Sequence, residues 1–258
     1  MTDQEATQET LRLDLRISED ELSFLLRALG IGALPGYKPS DSFDETRAQA
    51  ALNSLLARQF VQQTDDYLEI DQTIAALVGG GATTQRVLTV LKDTRAERSN
   101  HWFYLIPQFT IYHSSPDAGV HRFQTVPTGM ELIVRLNDII DLDLTDNQVV
   151  NIAPYLVDKR LYDDAITYLN ANNPQAAMML LEDHNVPEVY ANSIVNYEQR
   201  TIIMLVQSQE ENTVGAPLLV IKAEDGFVTV LPEDEGTMLL FSIKTGQAVL
   251  DEVAELMG

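Results

Sequence analysis

Leu11, Leu13, Leu15 and Ile17 alternate with charged residues near the start of the chain, and a period of two predicts a short strand with one apolar face. From Ser18 the period becomes 3.6. Ser18 and Glu21 have the spacing of a capping box, Leu22, Leu25, Leu26 and Leu29 share one helical face, and Gly30 is a stop. "GIGALPGYKPSDS" reads as a loop. Ser42 and Glu45 have the spacing of a second capping box, before a helix turning Ala48, Ala51, Leu52, Leu55 and Leu56 inward. A third helix is predicted from Asp71 to Val78, with Gly79–Gly81 as its stop and a flexible joint.

The period then returns to two. Strands are predicted at Gln85–Leu91, His101–Leu105, Phe109–His113 and Val120–Val126, joined by the turns "KDTRAERSN", "PQ" and "SSPDAG". Thr128 and Glu131 give a third capping-box spacing, opening a helix over Met130–Ile140. Beyond it, Thr145 and Gln148 predict a helix carrying Val149, Ile152, Ala153 and Leu156. Two more follow, at Tyr162–Asn170 and Pro174–Glu182, the proline standing where a helix accepts one. Strands are predicted again at Thr201–Gln207, Leu218–Lys222, Phe227–Leu231 and Met238–Ile243, and a last helix at Gln247–Leu256.

Strand-and-helix order thus recurs. A shift of 117 residues lays Asp117 on Asp234, Gly119 on Gly236, Thr128 on Thr245 and Gly129 on Gly246. The expectation is an α+β fold of two similar halves, each a four-stranded antiparallel meander with flanking helices, related by a pseudo-two-fold duplication. The expected organisation is a polar leader over residues 1–10, an N-terminal half over 11–143 and a C-terminal half over 144–258, forming one compact unit. Two copies are too few for a solenoid.

Composition narrows the chemistry. Of 258 residues, 45% are hydrophobic, enough for a core without a metal or disulfide staple. Cysteine is absent, which removes thiolate nucleophiles, Cys-ligated zinc and disulfides together. The first ten residues have no basic n-region or apolar h-region, and no stretch approaches 18 apolar residues, so a cytoplasmic protein that spans no membrane is expected. With 39 acidic against 17 basic side chains, the formal charge of −22 repels phosphate backbones and anionic lipid; neither nucleic acid nor membrane is an expected partner.

Few residues suggest catalysis. Gly79–Gly81 follow a helix and precede a strand, the reverse of a phosphate-binding loop, and no Lys-Ser or Lys-Thr pair follows. His113 and His121 flank a turn with Asp117 near its tip, a set that could hold a metal. Asp138, Asp141, Asp143 and Asp146 resemble a calcium loop but lack its sixth-position glycine and twelfth-position glutamate. There is no G-x-S-x-G elbow. No catalytic residue and no cofactor is expected. Candidate partner-binding residues are Met178 and Met179, whose flexible side chains suit an adaptable surface, and Trp102, Phe103 and Tyr104, should their sheet face be open.

One family shares this plan. The opening "LRISEDELSFLLRALGIGALPG", the small-residue helix "AQAALNSLLARQFV" and the two halves ending in meander plus helix resemble the EspG-like secretion-associated proteins of type VII systems. The resemblance implies a cytosolic, non-enzymatic chaperone of quasi-two-fold fold. Such a protein holds the helical tip of a secreted PE–PPE heterodimer through the central sheet and C-terminal half. A protein-binding chaperone or adaptor is therefore the leading expectation. Two alternatives stand beside it: a metal- or nucleotide-dependent enzyme using the His113/His121 hairpin or the Gly79–Gly81 loop, and a self-associating structural domain, for which a homodimer is possible.

Overall fold

A computed structural model describes residues 12–35, 37–39, 42–65, 67–145, 152–208, 212–223 and 226–257. Helices and antiparallel strands combine as the α+β class requires. By its contacts the chain divides into two units, Met1–Val87 with His101–Leu132, and Leu88–Asn100 with Ile133–Gly258. The division falls at Leu132/Ile133 rather than at the expected 143/144, and residues 88–100 go to the second unit.

The first unit begins with β1 (Asp14–Ser18), whose Leu15 and Ile17 are buried while Asp14 and Arg16 face solvent, the alternation the sequence predicts. α1 (Glu19–Ala28) opens with the expected capping box: Glu21 N donates to Ser18 Oγ at 3.1 Å and Ser18 N to Glu21 Oε2 at 2.7 Å. The buried Glu21 carboxylate also accepts from Ser54 Oγ (2.8 Å) and Arg58 (2.9 Å). α2 (Glu45–Ala57) is capped by Asp44, not by Ser42. Asp44 accepts from Arg47 N, while the Ser42 hydroxyl accepts from the Arg47 guanidinium. β2 (Val61–Gln63) and β3 (Leu68–Ile70) form a small hairpin too short for periodicity to reveal.

α3 (Gln72–Thr83) corrects a second expectation: Gly79–Gly81 lie inside the helix, not after it. A Cβ at Gly80 would stand 3.0 Å from Ile111 Cδ1, and one at Gly81 3.2 Å from the Tyr104 ring. These glycines let a helix and a strand pack unusually close, which outweighs their poor helix propensity. Then come β4 (Arg86–Thr94), β5 (Arg98–Leu105), β6 (Thr110–Asp117) and β7 (Val120–Val126). The unit's sheet runs β1-β7-β6-β5, antiparallel throughout. Leu22, Leu25, Leu26, Leu55, Leu77, Trp102, Tyr104 and Phe123 are among its core.

α4 (Met130–Ile140) leads the chain into the second unit. Of the helix expected after Thr145, residues 146–151 lie outside the described residues. Leu156, its expected end, belongs instead to β8 (Tyr155–Asp158), opposite Leu240. α5 (Lys159–Asn170) and α6 (Pro174–Asp183) match prediction, with Pro174 in the first turn. α7 (Glu188–Val195), buried along Tyr190, Ala191 and Ile194, was not predicted, since its eight residues are nearly all apolar or small and carry no clear 3.6 period. β9 (Gln199–Ser208), β10 (Asn212–Val214), β11 (Leu218–Ala223), β12 (Gly226–Glu233), β13 (Met238–Lys244) and α8 (Gly246–Met257) complete the chain. This sheet runs β4-β9-β11-β12-β13-β8, with β10 also on β9. The apolar sides of α5, α6 and α7 pack on it through Ala165, Leu181, Tyr190, Ile221, Val228 and Phe241.

Of the residues matched at the 117-residue offset, Gly119 and Gly236 both adopt the left-handed conformation (φ +73° and +83°) in the turns before β7 and β13. Gly129 is left-handed as well, whereas Gly246 is not, and opens α8 packed on the Asp143 backbone.

Candidate partner-binding site

Trp102, Phe103 and Tyr104 sit consecutively on β5, so their side chains alternate between the two faces of the sheet. All three are buried. The open sheet face that would have made them anchors does not exist: α3 packs on Tyr104, and Phe103 lies against the Tyr112 ring at 4.9 Å.

The histidine hairpin is equally enclosed. His113 Nε2 lies 2.9 Å from His121 Nδ1, and His113 Nδ1 lies 3.2 Å from the Tyr104 hydroxyl. Burial pushes both imidazoles down, His121 to about 4 and His113 well below the usual range, where the His121 charge adds to the effect. Asp117 is exposed at the end of β6, whereas the two histidines are buried. Among the described residues no three His, Asp or Glu side chains gather as a metal would need.

The methionines stand differently. Met179 on α6 is 63% exposed, whereas Met178 is half-buried against the second unit's core. Tyr168 on α5 is 42% exposed. An isolated apolar side chain on a surface is ordinary. Here the same helices also bound a concavity. An open cleft of about 570 Å³ lies between the β4–β5 turn, from Asp93 to Arg98, and the ends of α5, α6 and α7. Leu169, Pro174, Val195 and Tyr197 supply its apolar lining.

The turn is held firmly. Thr94 N donates to Glu97 O at 2.9 Å, and Glu97 N donates back to Thr94 Oγ1 at 3.1 Å. Asp93 accepts from Arg98 Nε at 3.1 Å and from Arg200 Nη2 at 2.7 Å, and the Arg200 guanidinium also lies 4.2 Å above the Tyr197 ring. Arg200 keeps only 13% of its side chain in solvent, so its ion pair is partly desolvated and fixes the cleft wall. Arg95 and Arg98 project from the turn into solvent, two cations in a chain of net charge −22. Sequence reading missed this cleft. "KDTRAERSN" looked like any polar turn, although three of its nine residues are Lys or Arg in an acid-rich chain, and that was the available signal.

The fold is thus α+β, with an open cleft in its second unit. Comparison with solved structures makes the fold specific. The chain has the fold of the Mycobacterium tuberculosis type VII secretion system chaperone EspG5, solved in complex with a PE25–PPE41 dimer. The match has a TM-score of 0.68 over 95% of this chain and 96% of that one, at 10% identity. HtdX, also from M. tuberculosis, aligns over 90% of this chain at 11% identity, but its TM-score of 0.15 carries no structural argument. No family model and no curated protein sequence matches.

Proposed function

We propose that this protein is a non-enzymatic chaperone or adaptor that binds a secreted helical partner of a type VII-like system in the cytoplasm, through the α5–α6 surface and the adjoining cleft. The observation that carries the reading is the coincidence, in one unit, of exposed Met179, exposed Tyr168 and a walled cleft, in a chain whose fold is that of a chaperone solved with a protein dimer. An adaptable thioether on a helix whose first residue, Pro174, lines the cleft suits a helix tip of variable sequence. The surrounding acidity speeds encounter with a basic partner, and exposed Arg95 offers a local site for a carboxylate. The enzyme alternative has less behind it, since the histidines bind each other and the glycines lie within a helix. No helix among the described residues is long and apolar enough to cross a membrane.

The test is capture. Secreted helical heterodimers encoded beside this protein would be co-purified with it and their affinity measured by calorimetry. Met179→Glu should weaken capture at least about tenfold, a loss of roughly 1.4 kcal/mol, without lowering the unfolding temperature. Undiminished affinity in Met179→Glu places the partner elsewhere. The reading also includes internal duplication. The paired left-handed glycines and the repeated strand-to-helix order support it, and residues 109–140 should superpose on 227–257 as hairpin plus helix.

A further inference from the structure

The buried cluster in the first unit has no part in the proposed function. Trp102, His113 and Phe123 are direct cross-strand neighbours on β5, β6 and β7, and their rings stack at 4.5 and 4.3 Å. His121 approaches diagonally and closes the 2.9 Å contact between imidazole nitrogens. Over the pair lies the turn that carries Leu34, Pro35 and Tyr37. Leu34 and Tyr37 exchange backbone hydrogen bonds of 3.0 and 2.9 Å, the Tyr37 ring stands edge-on 4.7 Å from His121, and the Tyr104 hydroxyl reaches Pro35 O at 3.4 Å.

Both nitrogens of His113 are engaged, so the proton count of the cluster is restricted. A neutral imidazole donates once and accepts once. Tyr104 either donates to Pro35 O and accepts from His113 Nδ1, or donates to His113 Nδ1; the bond between the histidines runs in the matching direction in each case. An added proton can be hydrogen-bonded along this chain, but no carboxylate among the described residues is paired with it. Among the described residues, the rings packed on the pair are those of Trp102 and Tyr104 on β5, Phe123 on β7 and Tyr37 of the covering turn, and none is an anion at neutral pH. Glu19 and Asp20, at the start of α1, raise the Tyr37 hydroxyl, whereas burial is the main influence on both histidines.

We propose that the His113–His121 pair is an acid-released latch: uptake of a proton by this enclosed pair frees the turn bearing Pro35 and Tyr37 from the sheet of the first unit. A charged imidazolium without a counter-ion is poorly tolerated in a site walled by aromatic rings, and lifting Tyr37 admits the water that solvates it. The pair is thereby neutral at cytoplasmic pH and the turn stays shut.

Trp102 is the sole tryptophan of the chain and its ring lies against His113, so indole emission, quenched more strongly by imidazolium than by imidazole, reports on this proton. In an acid titration of the full-length protein, emission should fall in a step between about pH 5 and 4 while far-UV ellipticity is retained. Hydrogen exchange of peptides spanning the turn, corrected for intrinsic rates, should rise over the same interval. In His121→Gln, which keeps polar atoms but cannot titrate, the step should vanish or move down by at least about one pH unit. An unchanged step in His121→Gln, or emission and ellipticity lost together at one pH in both proteins, assigns the transition to carboxylates and overturns the latch. Should the variant not fold, NMR and hydrogen exchange of the wild type decide: His121 must titrate near 4 with exchange of the turn rising over the same interval, and titration of His121 near 6.5, or exchange of the turn that does not rise, refutes the proposal.

Discussion

Gly79, Gly80 and Gly81 occupy consecutive positions of one helix, yet the structure assigns each a different response to alanine. In a helix interior Ala is favoured over Gly by about 1 kcal/mol, and that gain is common to all three sites. What differs is the space for a methyl group. Nothing lies within 4 Å of a Cβ at Gly79, so Gly79→Ala should stabilise by up to about 1 kcal/mol, raising the melting temperature by roughly 2–4 °C for a chain of this size. At Gly80 the obstacles are the terminal methyls of Ile111 (3.0 Å) and Ile106 (3.4 Å), which can rotate away, and the effects should nearly cancel. At Gly81 three Tyr104 ring atoms lie 3.2–3.5 Å away. That ring is fully buried and its hydroxyl is tied to His113, so it cannot yield cheaply. Overpacking of this kind costs about 1–3 kcal/mol, and Gly81→Ala should be destabilising by roughly 1 kcal/mol net. Urea unfolding of the three variants beside the wild type measures the differences directly. The order Gly79→Ala above Gly80→Ala above Gly81→Ala is the expected result. Equal stabilisation at all three would mean that the helix does not approach β5 as closely as described.

Glu21→Ala removes the acceptor of Ser18 N, Ser54 and Arg58 together and should cost about 3 kcal/mol in urea unfolding. Because His121 has a folded pKa near 4 against 6.5 unfolded, the unfolded chain binds more protons between those values, and stability falls as pH drops below 6.5. His121 alone should account for about 2 kcal/mol lost by pH 5, a loss absent from His121→Gln. Met178→Glu, unlike Met179→Glu, places a charge against the core cluster and should lower the melting temperature by several degrees.

The strands of both meanders were legible because alternation of apolar residues survives wherever a sheet has one face more buried than the other, as in β1. Legibility ended where the deciding contact is tertiary. The helix stop read into Gly79–Gly81 fails because Tyr104 and Ile111, more than twenty residues on, demand a close approach no local rule contains. Ser42 had the capping-box spacing, but Asp44 stands two residues nearer to the helix and takes the cap. The aromatic trio announced itself in the sequence without announcing its burial. Met179 and Met178 are indistinguishable by type, and only the phase of α6 on its core separates an exposed side chain from a half-buried one.

The two units are interleaved along the chain, since residues 88–100 serve the second while the segments on either side serve the first. On the ribosome β4 emerges early, but β9 beside it, and Arg200, which binds Asp93 across 107 residues, come much later. The second unit therefore cannot close its sheet while the first is being made, and an exposed strand edge has to wait in the nascent chain. No single cut yields two self-sufficient fragments: a piece beginning at Ile133 lacks β4, and a piece ending at Leu132 carries a strand with nothing of its own to pair with on that side.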